Sequence, residues 1–128
     1  MVIDSSALLA IFLVEPDASI YASAIVNDRR RLISAATLAE ASIVAMMRRK
    51  PDPIAAFDVL TTRLRLEVVA VDHEQALLAR DGFRRFGKGR HPASLNFGDC
   101  FSYALAKQRG EPLLFKGDDF NRTDVLAA

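Results

Sequence analysis

Val68-Val69-Ala70-Val71-Asp72-His73-Glu74-Gln75-Ala76-Leu77-Leu78-Ala79-Arg80-Asp81-Gly82-Phe83-Arg84-Arg85-Phe86 is the stretch that decides the fold class. It opens on four apolar residues, three of them β-branched, a composition that fits a short buried strand. Asp72 then supplies N-cap chemistry, and the periodic pattern from His73 to Phe86 predicts a helix. Gly87, Gly89 and Pro92 mark a loop after it.

The same strand-then-helix unit recurs on both sides. Toward the N-terminus, Val2-Ile3 is followed by Asp4-Ser5-Ser6, good capping chemistry, and by a helical run from Ala7 to Val14. Glu15-Pro16-Asp17 breaks that run, and Pro16 predicts the start of a second helix reaching about Val26. Leu32-Ile33-Ser34 reads as a strand after the cations Arg29-Arg30-Arg31. Thr37 with Glu40 three residues on matches a capping box for the next helix, which ends in Arg48-Arg49-Lys50 before Pro51. Asp52-Pro53 opens a helix to about Leu64. Toward the C-terminus, Asn96 caps a helix running to Gln108, Gly110 takes the C′ position, and Leu113-Leu114-Phe115 is a last strand before the turn Lys116-Gly117-Asp118-Asp119. Short apolar strands separated by helices predict an α/β fold: a central, mostly parallel sheet with helices on both faces.

Composition sets the outer limits. A chain of 128 residues with 51% hydrophobic residues reads as one domain, residues 1–128, able to bury a core without disulfides. Lys+Arg 17 against Asp+Glu 16 excludes a generally basic coat but says nothing about how charge is distributed. The lone Cys100 excludes an internal disulfide and a thiolate metal cage. Apolar runs fall short of the roughly 20 residues a membrane span needs. With no leader pattern at Met1-Val2-Ile3-Asp4, the expectation is a soluble cytoplasmic domain with no membrane association.

Acids fall where such folds bind ligands, outside the carboxyl ends of the strands. Asp4 follows the first strand, Glu40 lies in the helix after the second, Asp99 stands in the first turn of the last long helix, and Asp118-Asp119 follow the last strand. Each has a local explanation: Asp4 as a cap, Asp99 paired with Asn96 in a capping arrangement, Asp118 and Asp119 in a Gly-containing turn. Glu40 resists one, because Ala35-Ala36-Thr37-Leu38-Ala39 and Ala41-Ser42-Ile43-Val44 surround it with small and apolar residues. Two carboxylates about 4 Å apart repel by roughly 4 kcal/mol at an effective dielectric of about 20, so a rim gathering four needs cations, raised pKa values, or both. All-oxygen donors suit hard ions such as Mg2+ or Mn2+. There is no CxxC, HExxH, P-loop or G-x-S-x-G.

With those residues in view, the chain resembles the PIN-domain ribonucleases, and among them the VapC-type toxins of bacterial type II toxin–antitoxin systems. The resemblance runs over essentially the whole chain and is carried by Val2-Ile3-Asp4-Ser5-Ser6-Ala7, Ala39-Glu40, Asn96-Phe97-Gly98-Asp99-Cys100-Phe101 and Leu113-Leu114-Phe115-Lys116-Gly117-Asp118-Asp119-Phe120. It implies a PIN-like fold and a metal-dependent endoribonuclease that hydrolyses RNA phosphodiester bonds. Asp4, Glu40 and Asp99 would be the metal-site acids. Many relatives carry Thr-x-Asp after the last core strand, whereas this chain has Phe115-Lys116-Gly117-Asp118-Asp119. Asp118 and Asp119 are therefore rivals for the fourth acid, with Asp119 preferred because relatives with Lys-Gly often have Asn at the position of Asp118. The resemblance also implies a VapB-type antitoxin as partner and a homodimer; Ala7–Leu13 and Ile43–Met47 carry more apolar surface than one face needs, most of it read as core and some of it as such an interface.

An acidic site repels RNA unless cations stand beside it. Arg84-Arg85-Phe86-Gly87-Lys88-Gly89-Arg90-His91 contains no acid and leads into the Asn96–Asp99 motif. Arg84, Arg85, Lys88 and Arg90 are thus candidate phosphate contacts, Phe86 a candidate stacking surface, and Lys116 a residue that could reach a phosphate or an acid. The alternative is a solvated loop with Phe86 turned to the core. His73 and His91 fall outside the acidic motifs and read as surface residues, and Cys100 as a buried helix residue. Two rival functions remain open on the residues alone: a structure-specific metal-dependent DNA or RNA nuclease, and a catalytically silent RNA-binding PIN-like protein.

Overall fold

The computed structural model describes residues 1–48 and 51–128. Arg49 and Lys50, the end of the cation run expected to close the third helix, lie outside the described residues. Four short strands, Val2–Ile3 (β1), Leu32–Ser34 (β2), Glu67–Val69 (β3) and Leu113–Leu114 (β4), form one sheet in the order β3-β2-β1-β4. Every pair is parallel. The helices are Ser5–Phe12 (α1), Ala18–Asn27 (α2), Ala35–Met46 (α3), Pro53–Arg63 (α4), His73–Phe86 (α5) and Asp99–Arg109 (α6).

Neighbouring strand residues point to opposite faces, so each short strand feeds both layers. Val2, Leu32 and Leu113 join one core with Ala79 and Phe86 of α5 and Tyr103 and Leu105 of α6. Ile3, Ile33 and Leu114 join the other with Leu8 and Phe12 of α1, Ile25 of α2, Ala41 of α3 and Phe57 of α4. Each fully buried Val, Leu, Ile or Phe among them contributes about 1.5–3 kcal/mol against the unfolded chain. Near-continuous apolar strands are the signature of a parallel sheet covered on both sides.

The edges are dealt with separately. Beyond β4, Leu113 N donates to Leu126 O at 2.8 Å and Ala128 N donates to Leu113 O at 3.0 Å, so residues after 125 line the outer edge. At the other edge β3 exposes Glu67 and half of Val68, and a charge there discourages pairing with another chain. Among the described residues no helix is long and apolar enough to cross a membrane.

Several boundaries differ from the sequence expectation. Ser34, not Thr37, caps α3, its hydroxyl accepting from Ala36 N at 3.3 Å, because β2 runs into the helix with no intervening loop. Thr37 is therefore inside the helix and buried, with its Oγ1 3.0 Å from Ser102 Oγ, and Glu40 belongs to no capping box. Pro16 lies in the turn before Asp17 and α2 begins only at Ala18. β3 stops at Val69 because its register ends there: Ser34 pairs with Val69, and beyond Ser34 the partner strand has become helix. His91 is half-buried, its ring 5.2 Å from that of Phe86 and its Nδ1 accepting from Ala93 N, whereas His73 is exposed.

Candidate active site

From β1 the chain moves outward through β2 to β3, then returns to the opposite side of β1 as β4. The crevice at the carboxyl ends of β1 and β4 is the switch point of the sheet, where open α/β folds bind ligands. Asp4 stands there directly after β1. It caps α1, its Oδ2 accepting from Ser6 N at 2.9 Å and from Ser6 Oγ at 2.6 Å, and it is 2% exposed. The positive end of the helix helps to hold that charge. Its other oxygen, Oδ1, is buried without a hydrogen-bond partner.

Asp99 arrives from the opposite core layer by a reciprocal cap. Asn96 N donates to Asp99 Oδ2 at 2.7 Å, and Asp99 N donates to Asn96 Oδ1 at 3.0 Å. Glu40 comes from the interior of α3, with Oε2 buried and unpartnered. Burial pushes the Glu40 carboxyl above its ordinary range, the Ser5 hydroxyl eases it, and the charge of Asp4 adds to the push. Burial likewise lifts Asp99 to about 6, against the bond from Asn96, with the charges of Asp4, Glu40 and Asp119 adding to the rise. The charges of Asp4, Glu40 and Asp119, each from a different element, thus reach Asp99.

Among the described residues no three His, Cys, Asp or Glu side chains stand in ligating geometry around one point. Asp4, Glu40 and Asp119 lie near enough to bear on the ionisation of Asp99 without closing on a common centre. The donor set nevertheless suits a hard divalent cation: all oxygen, partly desolvated, with two buried oxygens that nothing among the described residues satisfies.

The two candidates for the fourth acid differ. Asp119 is among the charges that raise Asp99. Both are exposed, but Asp118 accepts locally, its Oδ1 3.4 Å from Asn121 Nδ2. Lys116, between them and β4, faces away from the acidic crevice chemically: its Nζ pairs with Asp17 at 2.7 Å and with Glu15, which lifts the lysine well above its usual range. Its backbone N donates to Ser6 Oγ at 3.0 Å. Lys116 therefore braces the loop and is not a free phosphate contact.

The basic segment divides in the same way. Arg84 pairs with Asp81, and Arg85 bonds Asp124 Oδ2 at 3.0 Å and Tyr103 Oη at 3.3 Å while covering the Phe86 ring at 4.6 Å. Phe86 itself is 9% exposed and belongs to the core, so it offers no stacking surface to a ligand. Lys88 and Arg90 are exposed, and among the described residues their side chains form no ion pair. Cys100 is buried, its Sγ 3.1 Å from Asn96 O, and burial lifts the thiol to about 11, which makes it an inert core residue.

Residues beyond the expected acids also shape the site. Gly98 has φ −64, open to any residue, yet a Cβ there would collide with the carboxylate of Glu40. Ser6 ties Asp4 to the loop after β4, and the buried Thr37–Ser102 pair pins α3 to α6, which carry Glu40 and Asp99. The Gly in Asn96-Phe97-Gly98-Asp99 and the second Ser after Asp4 were visible in the sequence as residues, but their contacts are long-range.

Comparison with known proteins adds to the geometry. The PIN-domain family model matches residues 1–126. A ribonuclease VapC of Mycolicibacterium smegmatis is 50% identical over 127 residues, covering 99% of this chain and 98% of that protein. Ribonuclease VapC30 of Mycobacterium tuberculosis is 47% identical over 125 residues, covering 98% of this chain and 95% of that protein. Among solved structures, Mycobacterium tuberculosis VapC20, described as a sarcin-ricin loop cleaving toxin, superimposes with a TM-score of 0.79 at 15% identity, covering 99% of this chain and 97% of that one. At that identity the likeness speaks for the fold alone.

Proposed function

The chain belongs to the PIN-domain family, and from that premise we propose that it is an endoribonuclease toxin of the VapC kind, a single nuclease domain over residues 1–128 that acts in the cytoplasm and is restrained by a VapB-type antitoxin. The observation that supports this reading best is the gathering of carboxylates at the switch point, where burial and neighbouring acids raise Glu40 and Asp99, and where Asp4 and Glu40 each keep a buried oxygen with no partner among the described residues. Relatives sharing about half of this sequence over nearly its full length are named ribonucleases, which favours RNA over DNA as substrate.

Asp4, Glu40 and Asp99, with Asp119, are the residues that would hold a divalent cation, Mg2+ or Mn2+. Such an ion supplies an acidified water and positive charge for a scissile phosphate. The chain's own contributions are positional and acid–base. Asp4 is fixed by Ser6, and Asp99 by Asn96, so neither carboxylate has to be ordered when substrate arrives. Glu40 or Asp99 would orient or deprotonate the attacking water. Lys88 and Arg90 offer the phosphate backbone free cations. Ile43 and Met46 of α3 and Met47 beyond it, all more than half exposed, supply an apolar face for a second copy of the chain or for the antitoxin; sedimentation of Met47→Glu against the parent tests the homodimer.

The deciding experiment uses purified chain freed of antitoxin, incubated with labelled single-stranded RNA, structured RNA and DNA in Mg2+, Mn2+ or chelator. RNA cleavage that needs the metal and is lost in Asp4→Asn, Asp99→Asn and Asp119→Asn, while Asp118→Asn retains it, is the expected result. Cleavage that survives chelator, or cleavage of DNA in preference to RNA, overturns the reading.

A further inference from the structure

Phe97 is 79% exposed, although it sits between Asn96 and Gly98 in the turn that delivers Asp99. Its ring packs perpendicular to Phe101 at 4.9 Å, and the rest of it meets solvent. The pair forms a wall between two surface cavities. The first, about 330 Å³, is lined by Ala36, Glu40, Asn96, Phe97, Gly98 and Phe101, so one of the site's carboxylates and the exposed ring share one space. The second, about 380 Å³, lies on the α5 side of the wall and has Arg80 on its lining.

From this arrangement we infer that Phe97 and Asn96 form a seat for one unpaired nucleobase of the RNA, next to the phosphate that is cut. The inference rests on the ribonuclease reading above and deepens it by naming what holds the substrate beside the acids. A flat aromatic face takes any base by stacking, and the capping bonds between Asn96 and Asp99 hold the turn rigid, so the ring is already in place. Asn96 commits its Oδ1 to Asp99 N, and among the described residues its Nδ2 donates to nothing, which leaves a donor for an acceptor on the base edge. Both cavities are lined mainly by apolar atoms, as a stacked base requires, and Arg80 adds a cation that a phosphate can use and an apolar peptide side chain cannot. A strand whose base rests on Phe97 has one phosphate on the side of Glu40 and Asp99, and its neighbour on the side of Arg80. Arg80 is exposed and forms no ion pair among the described residues.

The chain contains no Trp, so Phe97→Trp introduces a single indole at the seat. In an Asp4→Asn background, which stops cleavage, a short single-stranded RNA oligonucleotide should quench that emission on titration. Phe97→Ala should weaken binding of the same RNA roughly tenfold or more, the order of one lost base stack, with no change in melting temperature, and Phe97→Tyr should restore it. An RNA made abasic beside the cut should bind the parent and Phe97→Ala alike. If Phe97→Ala binds and cuts RNA as the parent does, the seat is refuted while the ribonuclease stands. If Phe97→Ala alters only inhibition by an antitoxin peptide, the surface docks protein and the inference is overturned. If the parent cuts no RNA in either metal, the ribonuclease reading fails first and takes the seat with it.

Discussion

Asp4 and Asp99 reach the site from helix N-termini, whereas Glu40 reaches it from the middle of a helix. The first two hold their own turns together: Asp4 accepts from Ser6, and Asp99 exchanges bonds with Asn96. Glu40 has no such local duty, one of its oxygens is buried without a partner, and it fits only because Gly98 has no side chain. The capping acids thus have a part in the fold besides the function proposed for them, while the mid-helix acid is held, among the described residues, only by the Ser5 hydroxyl from another helix.

The sharpest way to break this contrast is Glu40→Gln. Removing a partly buried charge while keeping an acceptor for the Ser5 hydroxyl should lower RNA cleavage by about a hundredfold or more, while the melting temperature of metal-free protein rises by a few degrees. A fall in melting temperature would show that Glu40 has a structural role. Gly98→Ala should come next. Its backbone is ordinary helix, so stability should stay within about 0.5 kcal/mol. The added methyl displaces the Glu40 head, however, and Mn2+ affinity measured by calorimetry should fall tenfold or more, an effect of the order seen when ligand supports are removed.

Asp4 tests the other half of the contrast. Both Asp4→Asn and Asp4→Ala should abolish cleavage, but Asn keeps an oxygen for Ser6 N, so only the Ala variant should lose about 1 kcal/mol in urea unfolding, the worth of an N-cap. Asp99 gives the smallest effect. Its carboxyl stands at about 6 in the folded chain, against 3.8 for an ordinary Asp, so between those values the folded state holds a proton that the unfolded state has released. Stability from this group therefore rises as pH falls from above 6 toward 4. In chelator, the melting temperature should rise by a few degrees between pH 7.5 and 5.5, and Asp99→Asn, which keeps the acceptor for Asn96 N, should flatten that slope.

What could be read in advance follows the range of the forces involved. Asp72 and the helix from His73 to Phe86, the Asp52-Pro53 start, and Gly110 with φ 63 at its C-cap are local chemistry and were legible residue by residue. Thr37 misled because Thr and Ser are equally good caps, and only the direct passage from β2 into α3 selects Ser34. The acids were visible as residues in the wrong surroundings. Lys116 and Arg85 were not legible as braces, because Glu15, Asp17 and Asp124, the acids that hold them, are distant in sequence or lie beyond another element. Gly98 left no backbone signal, since its torsion angles are unremarkable and the reason for it lies on another helix.

The order of the sheet has a consequence for synthesis. β1 is made first, yet its neighbour β4 begins at Leu113, so one side of the central strand stays open until most of the chain exists. Pairings this distant in sequence form late and slowly. A nascent or truncated chain ending before β4 carries Asp4, Glu40 and Asp99 but has neither Asp119 nor the Lys116–Ser6 bond that steadies the first acid. The interleaved strand order thus leaves the acidic crevice incomplete until β4 and the turn after it have been made.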